Sequence, residues 1–184
     1  MFESYLKGAL LLANLEEEFK KVKHLIKSSH RLVLCGCGGS NSAILHMSQD
    51  YLKMAGIKTL SPDSPSLLTC IFNDFSREDA FREWAKVQRE SGDLLIVVSS
   101  SGESDVTINC AKYFKSMGNK VITLTGFNQN NRLSQIGDVN VWFDTREYGV
   151  AEIFSEAFLH AILDSILEDK KNGFYQEYAP TGTV

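Results

Sequence analysis

The sequence predicts an α/β fold: a doubly wound five-stranded parallel sheet with a long N-terminal helix. Three observations carry that expectation. Short apolar runs rich in β-branched residues alternate with stretches of helical periodicity along the chain, the pattern of strands covered on both faces and joined by helical crossovers. Two of those runs end in glycine- and serine-rich loops, Gly36 to Ser40 and Ser99 to Ser104, and each loop opens a helix. The 184 residues suit one sizeable core and would be cramped as two. Residues 1–184 are therefore read as a single domain, with an oligomerisation helix over 1–28 and a tail over 171–184.

Residues Phe2 to Ser28 place Leu6, Leu10, Leu11, Leu15, Phe19, Val22, Leu25 and Ile26 at helical spacing. A helix of that length carries more apolar surface than a small sheet needs, so a second subunit is an expected partner. Arg31 to Cys35 is the first strand, and after the glycine loop a helix runs from about Asn41 to Met54. Ser61 to Pro65 reads as a loop and Leu67 to Phe72 as a strand ending in Asn73 and Asp74, polar groups at a strand's carboxyl end. Ser76 is the expected cap of a helix to about Arg89. Leu94 to Val98 is the central strand, and its helix, starting near Glu103 or Ser104, ends at Gly118-Asn119. Lys120 to Thr125 and Val139 to Phe143 are the remaining strands, with a short helix around Leu133 between them. The last helix spans Val150 to Leu167.

Composition narrows the function classes. Hydrophobic residues make up 43% and charged residues 23%, values of a folded globular chain. A net charge of -4 without a long basic run argues against nucleic acid as a partner. The apolar patch Ala9 to Leu15 is too short to cross a bilayer and runs into Glu16-Glu17-Glu18, so no membrane partner is expected and the location is read as cytoplasmic. Cys35, Cys37, Cys70 and Cys110 have no C-x-x-C spacing and are expected as reduced, mostly buried thiols, with Cys37 in the glycine loop as the exception.

The loops point to chemistry. Helix N-termini with free N–H groups, glycines and hydroxyls favour anions. Gly36 to Ser40 is not a dinucleotide fingerprint, because its third glycine position holds Asn41, and it lacks the lysine of a nucleotide-triphosphate loop. Two such loops indicate a phosphorylated small molecule. His46 and Asp50, four apart on the second helix, share a face as a metal-ligand or acid/base pair, or as a plain surface ion pair.

These residues resemble the sugar-isomerase (SIS) domain family and, more narrowly, its phosphoheptose isomerases. The resemblance rests on G-C-G-G-S at Gly36 to Ser40, N-D-F at Asn73 to Phe75, S-S-S-G-E-S at Ser99 to Ser104, V-I-T-L-T-G at Val121 to Gly126 and G-V-A-E at Gly149 to Glu152. It implies a sugar phosphate held by Ser99, Ser100, Ser101 and Ser104, helped by Gly38, Gly39 and Ser40, with Asn73 and Asp74 at sugar hydroxyls. It also implies a homotetramer. The family's metal site takes a His and a Glu four apart on the second helix and a Gln and a His eight apart on the last. His46 matches and Asp50 stands for the Glu, whereas Ser155 and Leu163 fall at the other two positions and Cys37 replaces an Asn. With two matching ligands, zinc is left unassigned.

Interconverting a ketose and an aldose phosphate through an enediol needs a base, a proton donor and charge stabilisation. Asp50 and Glu152 are the candidate bases and His46 the donor. His160 is off the expected register. The implied activity is sedoheptulose 7-phosphate to D-glycero-D-manno-heptose 7-phosphate; the other reading is a non-catalytic SIS module that binds a sugar phosphate or a protein in a regulatory role.

Overall fold

The structure is a computed structural model and describes residues 2–169; the expected tail over 171–184 lies outside the described residues. In chain order the elements are α1 (Phe2–Leu12), α2 (Glu16–Ser28), β1 (Arg31–Gly36), α3 (Gly39–Ala55), β2 (Thr59–Leu60) and α4 (Pro65–Asp74). A short 3-10 turn (Arg77–Asp79) follows, then α5 (Ala80–Gln88), β3 (Asp93–Ser99), α6 (Asp105–Ser116), β4 (Lys120–Thr125), β5 (Val139–Trp142) and α7 (Tyr148–Asp169). The five strands form one parallel sheet in the order β2-β1-β3-β4-β5. No helix among the described residues is long and apolar enough to cross a membrane.

Strand side chains alternate between the two faces, and each face has its own core. Leu32, Leu34, Ile96 and Leu124 meet α2, α3 and α7 on one side. Val33, Cys35, Val97 and Val121 meet α4, α5 and α6 on the other. Every residue of β3 is buried, as expected of a central strand. At its start, Arg31 grips Asp93 with two bonds of 2.8 and 3.1 Å, and the Glu90 N–H donates to the same carboxylate. The planar two-point contact fixes β1 against β3.

Three expectations are corrected. The N-terminal helical stretch is divided: Ala13 and Leu15 donate to Leu10 and Leu12 in a tight turn, after which α2 starts with Glu16, Glu17 and Glu18 in its first turn. The break lets α2 bury Val22 and Ile26 against the sheet while α1 packs on α7. The run Leu67 to Phe72 lies in α4 rather than a strand, because Ser64 caps the helix through the Leu67 N–H and Pro65 occupies its first turn. The edge place in the sheet goes to Thr59 and Leu60. Around Leu133 there is a turn and no helix; Leu133 is fully buried and donates to the Gly102 carbonyl at 2.9 Å. Of the cysteines, Cys35 and Cys110 are buried, whereas Cys37 and Cys70 are exposed, and all four are free thiols.

Asp138 joins β4 to the chain entering β5. Burial opposes its ionisation, but bonds of 2.9 Å from Lys115, the Val121 N–H and Lys120 overcome that and hold its carboxyl below the usual carboxylate range. A depressed folded value gives stability that is present above the ordinary carboxylate value and lost as the pH falls through the folded one. Asp138→Asn is expected to lower stability by about 1 kcal/mol at neutral pH, with the gap to the natural chain closing below about pH 4. Urea unfolding across pH measures this; a gap that persists unchanged into acid contradicts it.

Candidate functional site

In a sheet of this order the direction of winding reverses between β1 and β3, and the crevice at their carboxyl ends is where such sheets bind ligands. Both sequence-marked loops leave from that point. After β1, Gly38 takes a left-handed conformation (φ 59°) and α3 begins at Gly39. After β3, Ser99, Ser100 and Ser101 turn through Gly102 (φ 68°) to Ser104, the N-cap position of α6. Gly102 is required there, since a Cβ would overlap the buried side chain of Asn131. The serine loop is pinned from β4 and the turn behind it, by the Gly126 N–H on the Ser100 carbonyl at 2.9 Å and the Leu133 N–H on Gly102. Ser104 does not use its hydroxyl to cap α6. Ser100 is 5% exposed, and its hydroxyl oxygen has no partner among the described residues. A buried, unpaired hydroxyl in a pinned loop is primed for a ligand acceptor.

The two loops differ in what they offer. The N-terminus of α3 is already occupied by the carboxylate of Glu152, which lies so close over Gly39 that a Cβ there would overlap it. Ser40, 4% exposed, donates to Glu152 Oε1 at 3.4 Å. The positive end of α3 thus faces a carboxylate of the chain itself. The N-terminus of α6 is flanked by Glu103 and Asp105, both engaged by Arg132. Cys37 touches both regions: it is exposed, and crowding raises its thiol above the ordinary value against the opposing hydrogen bond from Ser104 and the nearby Arg77 cation.

One turn and more along α3, a second set of groups converges. The helices α3 and α7 follow parallel strands on the same face and run side by side in the same direction. Glu152 therefore meets Gly39, Glu156 meets His46, and His160 meets Asp50. His46 Nδ1 is 2.5 Å from Glu156 Oε1, and His46 Nε2 and His160 Nε2 are each 3.3 Å from Asp50 Oδ2. The two imidazole rings stand 5.0 Å apart at 65°. His160 Nδ1 lies 3.1 Å from the Glu156 carbonyl; a carbonyl only accepts, so Nδ1 carries a proton. Tyr51 fixes the neighbouring turn by donating to the Leu159 carbonyl at 2.9 Å.

This donor set fits a divalent cation. His46, Glu156 and His160 offer ligand atoms within 4.8 Å of one another. Two imidazoles with carboxylates are a borderline donor set of the kind zinc accepts.

The expected residues are thus partly assembled. His46 and Asp50 lie in the cluster, Glu152 and Ser40 stand at its α3 end beside Gly38 and Gly39, and Ser99, Ser100, Ser101 and Ser104 form the second loop. Asn73 and Asp74 are not strand-end groups. They are exposed at the end of α4, bonded to each other at 3.1 Å, with no bond to either loop among the described residues. Ser155 and Leu163 are 1% and 0% exposed, and Leu163 belongs to the core. The α7 pair eight apart that meets α3 is Glu152 and His160, and Glu156 joins them. The signal for Glu156 and His160 was a spacing of four and four from Glu152, one helical stripe.

The SIS domain model matches residues 9–126. The chain belongs to the SIS domain family. It is 25% identical over 165 residues to the phosphoheptose isomerase of Sodalis glossinidius, covering 87% of this chain and 84% of that protein. It is 28% identical over 165 residues to that of Pectobacterium atrosepticum, covering 87% and 79%. The structure of phosphoheptose isomerase GmhA from Neisseria gonorrhoeae superposes with a TM-score of 0.82 at 22% identity, over 90% of this chain and 94% of that one. That likeness bears out the doubly wound parallel sheet.

The assignment of the α7 face has a direct test. Leu163→Ala should destabilise by about 2–5 kcal/mol as a core truncation, and His160→Ala by under about 1 kcal/mol as a half-exposed change. Denaturant unfolding of the two variants measures both; equal small losses contradict the assignment.

Proposed function

We propose that the protein is a phosphosugar isomerase that interconverts a ketose phosphate and an aldose phosphate, with sedoheptulose 7-phosphate and D-glycero-D-manno-heptose 7-phosphate as the pair. The observation that carries the reading is a pinned serine loop with an unpartnered buried hydroxyl at the sheet crevice, beside a glycine loop whose helix α3 carries, with α7, a cluster of two imidazoles and three carboxylates. The relatives named phosphoheptose isomerase support the same substrate class.

The residues divide the work. Ser99, Ser100, Ser101 and Ser104 with the α6 N-terminus hold the phosphate. Glu152, oriented by Ser40, is the base that removes a proton from C1 of the ketose. A proton from His160 or His46 goes to the C2 carbonyl oxygen, leaving the enediol. Return of the carbon proton to C2, with loss of the O1 proton to an imidazole, gives the aldose and restores both groups. His46, Glu156 and His160 are the residues that would hold a divalent cation such as zinc; with it bound the two imidazoles would be ligands rather than proton donors, and the negative charge developing on the substrate oxygens would be stabilised by the metal instead. Asp50, bonded to both imidazoles, acts through their orientation rather than as the base. The non-catalytic reading drew its force from an imidazole lost at Leu163. His160 offers an imidazole from another turn, which removes that ground for preferring the non-catalytic reading.

The finer reading completes the proposal: a single-domain cytoplasmic enzyme of heptose biosynthesis, assembled as a homotetramer. The exposed Leu6 and Leu10 of α1, 58% and 69% accessible, support a subunit contact there.

Incubation with sedoheptulose 7-phosphate, with and without added zinc, should yield an aldoheptose phosphate. Glu152→Gln and His160→Ala should each lower kcat by roughly 10²–10⁴-fold, while Ser101→Ala with Ser104→Ala should mainly raise KM. Absence of turnover by the natural chain in both conditions, with the fold intact, would falsify the isomerase reading.

A further inference from the structure

A phosphate dianion in the serine loop meets an electrostatic deficit. The loop offers hydroxyls, N–H groups and a helix end, but its own side chains include Glu103 and the next residue is Asp105. The nearby cation, Arg132, is committed to them: Nη1 lies 2.8 Å from Asp105, Nε 3.9 Å from Glu103, and the Arg132 N–H donates to Glu103 at 3.1 Å. Two carboxylates against one guanidinium leave the rim negative before any ligand arrives, which disfavours a dianion.

A cleft of about 230 Å³ opens beside the glycine loop, lined on one side by Gly36, Cys37 and Asn41 and on the other by Phe72 and Arg77. Arg77 is exposed and makes no ion pair among the described residues. Beside it, Asp79 binds Arg82 at 2.9 Å, and Asn109 of α6 donates to Asp79 at 2.9 Å and to the Glu78 backbone carbonyl at 3.0 Å. Those bonds tie the 3-10 turn bearing Arg77 to the same helix whose N-terminus carries the serine loop. Cys37 lines the cleft and lies near both Arg77 and Ser104, so it connects the cleft to that loop. In the same cleft the Asn41 Oδ1 atom is buried and unpartnered, an acceptor awaiting a donor.

We propose that Arg77 is a substrate-binding residue, supplying the positive charge that the serine loop lacks for the phosphate, while Asn41 accepts a hydrogen bond from a sugar hydroxyl in the same cleft. The inference rests on the isomerase reading of the serine loop. A guanidinium suits the task because its planar fork binds phosphate oxygens at two points.

The test titrates the full chain calorimetrically with sedoheptulose 7-phosphate, inorganic phosphate and unphosphorylated sedoheptulose. Arg77→Ala should weaken the two phosphate ligands by roughly tenfold to hundredfold and leave the unphosphorylated sugar unchanged. Arg77→Lys should recover part of the loss, and turnover should show the change in KM with kcat nearly constant. Thermal melting checks the fold of each variant. If Arg77→Ala binds the phosphate ligands like the natural chain while Ser101→Ala with Ser104→Ala does not, the role of Arg77 is overturned and the loop assignment stands. If the natural chain binds no phosphorylated ligand, both fall together. Equal weakening of phosphorylated and unphosphorylated sugar by Arg77→Ala also overturns the proposal, since a phosphate contact acts on one alone.

Discussion

Parallel pairing of β1 with β3, from Arg31 opposite Asp93 to Gly36 opposite Val98, fixes the relation of everything at the other end of the sheet. The buried Arg31–Asp93 contact anchors the pairing where the strands begin. Because the strands are in register over their length, the glycine loop and the serine loop leave the sheet side by side. A one-residue slip would also exchange the faces of every β1 side chain, sending Leu32 and Leu34 toward the core that Val33 and Cys35 occupy. The register is therefore enforced twice, by an ion pair and by two cores.

The second constraint is the packing of α3 along α7. Both helices follow parallel strands on one face, so they run in the same direction, and successive turns of one face successive turns of the other. Glu152, Glu156 and His160 then meet Gly39, His46 and Asp50 as rungs of one ladder. Tyr51 on Leu159 extends the ladder into the core, where a buried hydroxyl must find a partner. The two helix ends at the crevice thus differ: that of α3 faces the Glu152 carboxylate, and that of α6 is flanked by Glu103 and Asp105, both engaged by Arg132.

Support for the serine loop comes from distant sequence. Gly102 accepts a bond from Leu133 and leaves its α-carbon bare for Asn131, and Ser100 is held by Gly126. The turn that the sequence suggested as a helix is thus a buttress, with Leu133 and Arg132 bonded outward to the loop. Glu103 and Asp105 lie at the same loop, engaged by Arg132, while Arg77, with no ion pair among the described residues, lines the cleft beside the glycine loop.

The sequence by itself determined four of the five strands, the helices that follow them and the two loops, because buried β-branched runs and glycine-serine turns express local preferences that no partner need confirm. It also placed His46, Asp50, Glu152 and the serines on the elements where they lie. Tertiary structure decided what local preference left balanced. The run Leu67 to Phe72 suits a strand by composition and a helix by its cap at Ser64, and only one place at the edge of the sheet was open, taken by Thr59 and Leu60. The N-terminal stretch is helical by period, yet it bends at Asn14 because α1 and α2 have different surfaces to cover. On α7 the choice was between the stripe of Ser155 and Leu163 and that of Glu156 and His160. A helix carries every face at once, and which one turns to α3 depends on the packing of the other faces: Leu163 went to the core, and His160 to Asp50.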